Sequence, residues 1–164
     1  MNQFIILIIE DERPVLDALA RDLEPFADRF LIEPAENVDD ARKVVADHLD
    51  KDDYIALVLA DHLMPGTSGV DYLVELNGDP RTAPARKVLV TAQAGLQDTV
   101  KAVNQAKLDH YIAKPWTRDQ LHEVVRGQLT DYIVASGVDP LPYMQILDSQ
   151  RLMQAVRASA KRAE

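Results

Sequence analysis

Uninterrupted apolar runs that stop at a polar side chain organise this chain. Phe4-Ile5-Ile6-Leu7-Ile8-Ile9 has no polar member and ends at Glu10-Asp11. Such a run predicts a strand buried on both faces, as in a parallel sheet. Pro14 then stands where a first helical turn tolerates it, and Val15, Leu16, Leu19, Leu23 and Phe26 follow at helical spacing. Phe30-Leu31-Ile32 predicts a short second strand. Asn37 reads as an N-cap before Val38, Ala41, Val44, Val45 and Leu49, which share one helical face. Tyr54 to Ala60 is a third buried strand, and it too ends at a carboxylate, Asp61.

The alternation continues to the end. Pro65-Gly66-Thr67-Ser68-Gly69 predicts a turn, and Val70, Leu73, Val74 and Leu76 a helix behind it. Lys87 to Thr91 is the fourth strand, Leu96 to Ala106 a weaker helix, and His110 to Ala113 the fifth strand. Thr117-Arg118-Asp119-Gln120 forms a capping box that starts a helix through Leu121, Val124, Val125, Leu129 and Ile133. Strands alternating with helices in this way predict an α/β fold with a parallel sheet. The domain is expected to span 1–136. A C-terminal extension, 137–164, is expected to hold one helix from about Leu141 to Ala163.

Composition narrows the function classes. With 47% hydrophobic residues in 164, the chain can bury a proper core. Its formal net charge of −9 argues against a chain that coats nucleic acid. It has no cysteine, which excludes disulfides, thiolate catalysis and Cys-based zinc sites. The Phe4–Ile9 run is far shorter than the roughly 20 apolar residues of a membrane helix, and no basic leader precedes it, so a cytoplasmic location is expected.

The polar residues that close the strands carry the chemistry. Glu10 and Asp11 follow the first strand, Asp61 the third and Lys114 the fifth, and Thr91 ends the fourth. Ligands of open α/β sheets bind outside the carboxyl ends of the strands, so these five side chains are expected in one crevice. Three acids together need a cation, and an oxygen-only set without His or Cys favours Mg²⁺. A lysine and a hydroxyl beside that cation suit a phosphoryl group, whose transition state spreads charge over its oxygens. Asp61 is then the candidate nucleophile, because carboxylates form aspartyl phosphates.

The stretches Ile8-Ile9-Glu10-Asp11-Glu12, Leu59 to Gly66 with Gly69 behind them, Val90-Thr91-Ala92 and Tyr111 to Trp116 stand in order over about residues 4 to 134. Together they resemble the receiver domain of bacterial two-component response regulators. The resemblance implies a flavodoxin-like (βα)5 doubly wound sheet of order 2-1-3-4-5. It implies phosphoryl transfer to Asp61 from a phosphohistidine on a sensor histidine kinase or phosphotransfer protein. Mg²⁺ would be held by Asp11, Asp61 and the backbone carbonyl of Leu63, with Glu10 acting mainly through water. Thr91 and Lys114 would hold the phosphoryl oxygens, Ala92 would leave room for them, and Tyr111 would turn inward with Thr91 as the switch. The Lys114-Pro115 bond resembles one the family usually keeps cis. Gln93 stands where the family tunes phosphate lifetime. Phosphorylation would alter the face formed by the 96–106 helix, the fifth strand and the helix after Thr117. Its readers would be a downstream output protein or domain, or a second copy of the chain. Glu10 is the departure, since aspartate is more usual there.

Rival readings are weighed on the same residues. A Mg²⁺-dependent phosphohydrolase would carry a second acid close after its nucleophile and a cap; His62-Leu63-Met64-Pro65 follows Asp61, and no insertion is long enough. A flavodoxin-like cofactor binder wants a phosphate cradle after the first strand, where Glu10-Asp11-Glu12 would repel phosphate. A degenerate receiver would act as an interaction module without being phosphorylated. The expectation is a switch that catalyses only its own phosphorylation and dephosphorylation. The four histidines lack metal-site spacing and read as structural or exposed, and Trp116 as packing near the start of the last domain helix. The basic 151–164 tail reads as a solvated helix ahead of a nucleic-acid contact.

Overall fold

The computed structural model describes residues 2–92 and 102–163. Its strands are β1 (Phe4–Ile9), β2 (Leu31–Ala35), β3 (Tyr54–Ala60), β4 (Arg86–Thr91) and β5 (His110–Ala113). Its helices are α1 (Arg13–Asp22), α2 (Val38–Asp50), α3 (Gly69–Leu76), α4 (Arg118–Ser136) and α5 (Ser149–Ala163). The five strands form one parallel sheet in the order β2-β1-β3-β4-β5, the flavodoxin-like arrangement. No described helix is long and apolar enough to cross a membrane.

The sheet separates two apolar layers. On one face, Ile6, Ile8, Leu57 and Leu59 pack with Leu16 and Leu19 of α1 and Leu121, Val125 and Leu129 of α4. On the other, Ile5, Leu7 and Val58 pack with Val38, Ala41 and Val45 of α2 and Val70 and Leu73 of α3. Alternate residues of one strand thus serve opposite layers, which is why β1 and β3 tolerate no polar residue. Caps fix where the helices begin. Asn37 Oδ1 accepts from the Asp40 amide at 2.8 Å, and Thr117 Oγ1 from the Gln120 amide at 3.1 Å.

Several expectations are revised. β2 runs on through Glu33-Pro34 to Ala35, a polar stretch that an edge strand accepts because only one side is hydrogen-bonded. Phe26 is buried from a separate 3₁₀ turn, Glu24–Phe26, after α1 has ended at Asp22. The expected helix from Leu96 lies outside the described residues except for its last turn, a π-helical turn over Ala102–Ala106. The side-chain amide of Asn77 donates to the Ala106 carbonyl at 2.7 Å and so ties that turn to α3.

The extension is two pieces, not one helix. Gly137 closes α4 in the left-handed region, at φ +77°, and a 3₁₀ turn spans Leu141–Tyr143. Pro140 and Pro142 favour that tight turn, and Asp148 caps the later helix by accepting from the Arg151 amide at 3.2 Å. Leu147 and Leu152 enter the α1/α4 layer of the core, so the extension is packed onto the sheet domain.

Buried polar groups at the opposite end of the sheet from the strand-end acids had no signal in the hydropathy pattern. His48 Nδ1 meets Asp53 Oδ2 at 2.7 Å, and Asp53 Oδ1 accepts from the Gln3 amide at 2.8 Å. Lys87 is buried, donates to the carbonyls of Ala83 and Ala85, and burial pushes its pKa down to about 8.

Candidate functional site

Register places the strand-end residues together. Ile9 pairs with Ala35 and Ala60, and Thr91 pairs with Ala113. The next residues therefore leave the sheet side by side. The Asp61 amide donates to the Ile9 carbonyl at 3.0 Å, and the Lys114 amide to the Thr91 carbonyl at 3.2 Å. β1 and β3 flank the point where the strand order reverses, the position at which open α/β sheets bind ligands.

Glu10, Asp11 and Asp61 each bring a carboxylate oxygen within 4.8 Å of the others, and no other group of three acids or histidines does so among the described residues. Glu10 and Asp61 are buried, and Asp11 is exposed at the mouth. The Lys114 ammonium donates to Glu10 Oε1 and lies 3.3 Å from Asp61 Oδ2. Glu10 Oε2 is buried and receives no donor among the described residues.

The charges are strongly coupled. Burial, together with a hydrogen bond donated to Asp61, pushes the Glu10 pKa up to about 7 against the opposing pull of Lys114. Burial also works against the charged form of Asp61. Hydrogen bonds from Glu10 and Thr91 and the charge of Lys114 outweigh it, and hold that carboxyl below its usual range. For Lys114, hydrogen bonding to Glu10 and the charge of Asp61 outweigh burial and raise its pKa. Asp61 is thus the more readily ionised acid of the pair, and Glu10 the one that takes up a proton more readily.

The rest of the crevice fits this picture. Thr91 is buried beside Asp61, and Ala92 is exposed next to it. Tyr111 is 37% exposed, with its hydroxyl donating to the Thr91 carbonyl at 3.2 Å. Leu63 turns its side chain to solvent. His62 is buried next to Asp61. The Lys114-Pro115 bond is cis. Trp116 does more than pack near the start of α4: its Nε1 donates to Asp22 Oδ2 at 3.0 Å and so reaches α1. Gln93 lies outside the described residues. Gly69, expected at the end of a turn, is the first residue of α3. A Cβ built there would stand 2.0 Å from the Asp61 carbonyl oxygen, so only glycine lets α3 start this close to Asp61.

The donor set fits a hard divalent cation. All side-chain ligands are oxygen, two of the three acids are buried, and one buried oxygen has no donor.

Comparison with known proteins agrees. The response regulator receiver domain matches residues 6–126. The chain is 29% identical over 125 residues to the hydrogenase transcriptional regulatory protein HoxA of Cupriavidus necator, covering 76% of this chain and 24% of that protein. It is 30% identical over 124 residues to the response regulator Rre1 of Synechocystis, covering 76% of this chain and 51% of that one. The chain therefore spans about half, or less, of the length of these relatives. A CheY-like receiver domain protein from Methanospirillum hungatei superposes with a TM-score of 0.65 at 26% identity, over 80% of this chain and 97% of that one. Strand order, the acids at the ends of β1 and β3, and the match over 6–126 agree: the chain belongs to the response regulator receiver domain family.

Proposed function

We propose that this chain is a phosphorylation-driven signalling switch that accepts a phosphoryl group on Asp61 with Mg²⁺ bound. The observation that carries the reading is the convergence of Glu10, Asp11 and Asp61 within 4.8 Å, with Lys114 against two of them.

An Asp61 carboxylate oxygen attacks the phosphorus of a phosphohistidine, the P–N bond breaks, and the imidazole leaves with a proton. Asp61 is held ionised for this role, and its attack needs no base. Lys114 moves its charge from the free acids to the phosphoryl oxygens, and Thr91 donates to another of them. Asp11, Asp61, Glu10 and the Leu63 carbonyl would hold the metal, which supplies neutralising charge at the phosphoryl oxygens. Hydrolysis by water returns the free carboxylate, so the chain turns over only itself.

The donor is a protein. An apolar groove of about 540 Å³ opens beside Lys114, lined by Pro14, Val15, Ala18, Ala92, Pro115 and Trp116. It suits the apolar face of a helix that presents a phosphohistidine to Asp61. Tyr111 is placed to report the phosphoryl group, because its hydroxyl donates to the main-chain carbonyl of Thr91, whose side chain would turn toward that group.

The test is incubation with Mg²⁺ and acetyl phosphate followed by intact mass. A single phosphoryl adduct, absent from Asp61→Asn, is expected. An unmodified wild type would favour a receiver that acts as an interaction module without being phosphorylated.

A further inference from the structure

The C-terminal helix α5 is held at one end only. Among its described residues, Leu152 alone is buried, and from Arg157 to Arg162 every residue is exposed. Its anchorage to α4 is correspondingly small. Leu152 enters the core, the Arg151 guanidinium donates to Asp131 of α4, and the Asp148 amide donates to Thr130 Oγ1 at 3.1 Å.

The Asp131 carboxylate also serves a second arginine. Arg86, the first residue of β4, approaches Asp131 Oδ2 at 3.6 Å, while its guanidinium meets Asp109 at 2.9 Å and its Nε donates to Gln128 at 3.0 Å. The other oxygen of Asp109 accepts from the Lys87 amide at 2.7 Å, one residue before β5 begins. A single ionic network thus joins the starts of β4 and β5 to the extension. The same two strands carry Thr91 and Tyr111 toward the other end of the sheet. Two arginines, one from the switch strands and one from the extension, share one acid.

We propose that α5 is the output element of this chain, docked on α4 in the resting form and undocked when β4 and β5 rearrange around a phosphoryl group. This rests on the receiver reading above and names what reads the switch. In this proposal Arg86, which lies closer to Asp109 than to Asp131, loosens from Asp109 on phosphorylation and pairs with Asp131 instead, weakening the hold of that carboxylate on Arg151. A helix held by one leucine and one ion pair is weakly enough attached to respond. Undocking would expose Leu152, the residue of α5 buried in the core, beside the already exposed Arg151 and Met153.

Hydrogen exchange read by mass spectrometry on the full chain, with Mg²⁺ and with or without beryllofluoride as a stable phosphoryl surrogate, tests the proposal. Amides of 150–156 should exchange about tenfold faster with the surrogate, while those of 121–133 stay protected. Asp131→Asn should give the fast exchange without the surrogate. Because coupling is reciprocal, Asp131→Asn should also tighten beryllofluoride binding by the same factor, which a merely structural contact would not do. Arg86→Gln should leave α5 docked in both states. Unchanged exchange at 150–156 in a chain that binds the surrogate overturns the proposal and leaves the receiver reading standing. A chain that neither binds the surrogate nor forms the acetyl phosphate adduct overturns both.

Discussion

Gly69 meets Asp61 backbone to backbone: the Gly69 amide donates to the His62 carbonyl at 3.1 Å, and a Cβ on Gly69 would stand 2.0 Å from the Asp61 carbonyl oxygen. The φ of Gly69 is not in the left-handed region, so closeness alone demands glycine. Gly69→Ala must push α3 away from the end of β3. The expected cost is about 2–3 kcal/mol, or a fall in Tm of about 5–10 °C. Mg²⁺ affinity should fall with it, because the loop carrying Asp61 and Leu63 shifts. Calorimetry and a Mg²⁺ titration check both, and an alanine variant with unaltered melting would show that α3 yields freely.

The acid pair sets a pH dependence with a definite sign. Glu10 has a pKa near 7 in the folded chain, well above its ordinary value, so the folded form binds the proton more tightly. Its contribution to stability is complete below about pH 4.5 and is lost as pH rises through 7, by about 2–3 kcal/mol. Asp61 is shifted the other way. Its contribution is present above the ordinary carboxylate range and is lost only in more acid solution, so the two windows are separate. Without divalent cation, the urea midpoint should fall between pH 5 and pH 8. Glu10→Gln should flatten that slope and raise stability at pH 8, and Mg²⁺ should restore the wild type there. A midpoint indifferent to both Glu10→Gln and Mg²⁺ would show that Glu10 is not the titrating group.

Much of this site was legible because parallel strands announce themselves. Phe4–Ile9 and Tyr54–Ala60 are buried on both faces, so each reads as an unbroken apolar run, and the first polar residue after it marks the sheet edge. That edge is where Glu10 and Asp61 stand. What was not legible depends on contacts between distant residues. The length of β2 is set by pairing with β1, not by its own Glu33-Pro34. The buried His48–Asp53 pair and the buried Lys87 amine are satisfied by partners that no hydropathy pattern reveals. The role of Gly69 exists only once α3 is placed against Asp61.

Asp22 makes Trp116 a reporter of the crevice. Trp116 Nε1 donates to Asp22 Oδ2 at 3.0 Å, and His122 Nε2 meets the Asp22 carbonyl, so one residue of α1 holds both the loop after Lys114 and the first turns of α4. Asp22→Ala should cost about 1–2 kcal/mol and shift Trp116 emission to the red as the indole loses its partner. Trp116 is the sole tryptophan, so emission reports this position alone. Mg²⁺ should alter the emission of the wild type through Lys114, two residues away. An Asp22→Ala spectrum identical to that of the wild type would show that the indole does not depend on this contact.

The extension should be worth several kilocalories to the domain it covers. Tyr143 packs against Phe4 at a ring separation of 6.2 Å and against Phe30 at 5.6 Å, while Leu147 and Leu152 are buried in the α1/α4 layer. Each buried leucine contributes about 1.5–3 kcal/mol, from which the ordering of the segment must be subtracted. A chain ending at Gly137 should therefore lose about 2–4 kcal/mol, read as a lower urea midpoint. The two leucines should not be equal. Leu147→Ala opens a cavity under a segment that Tyr143 also fixes, and should cost about 2–4 kcal/mol. If α5 undocks as proposed above, the cost of Leu152→Ala is capped at the cost of undocking and should be smaller. Equal losses would show that α5 comes away only when the whole domain unfolds.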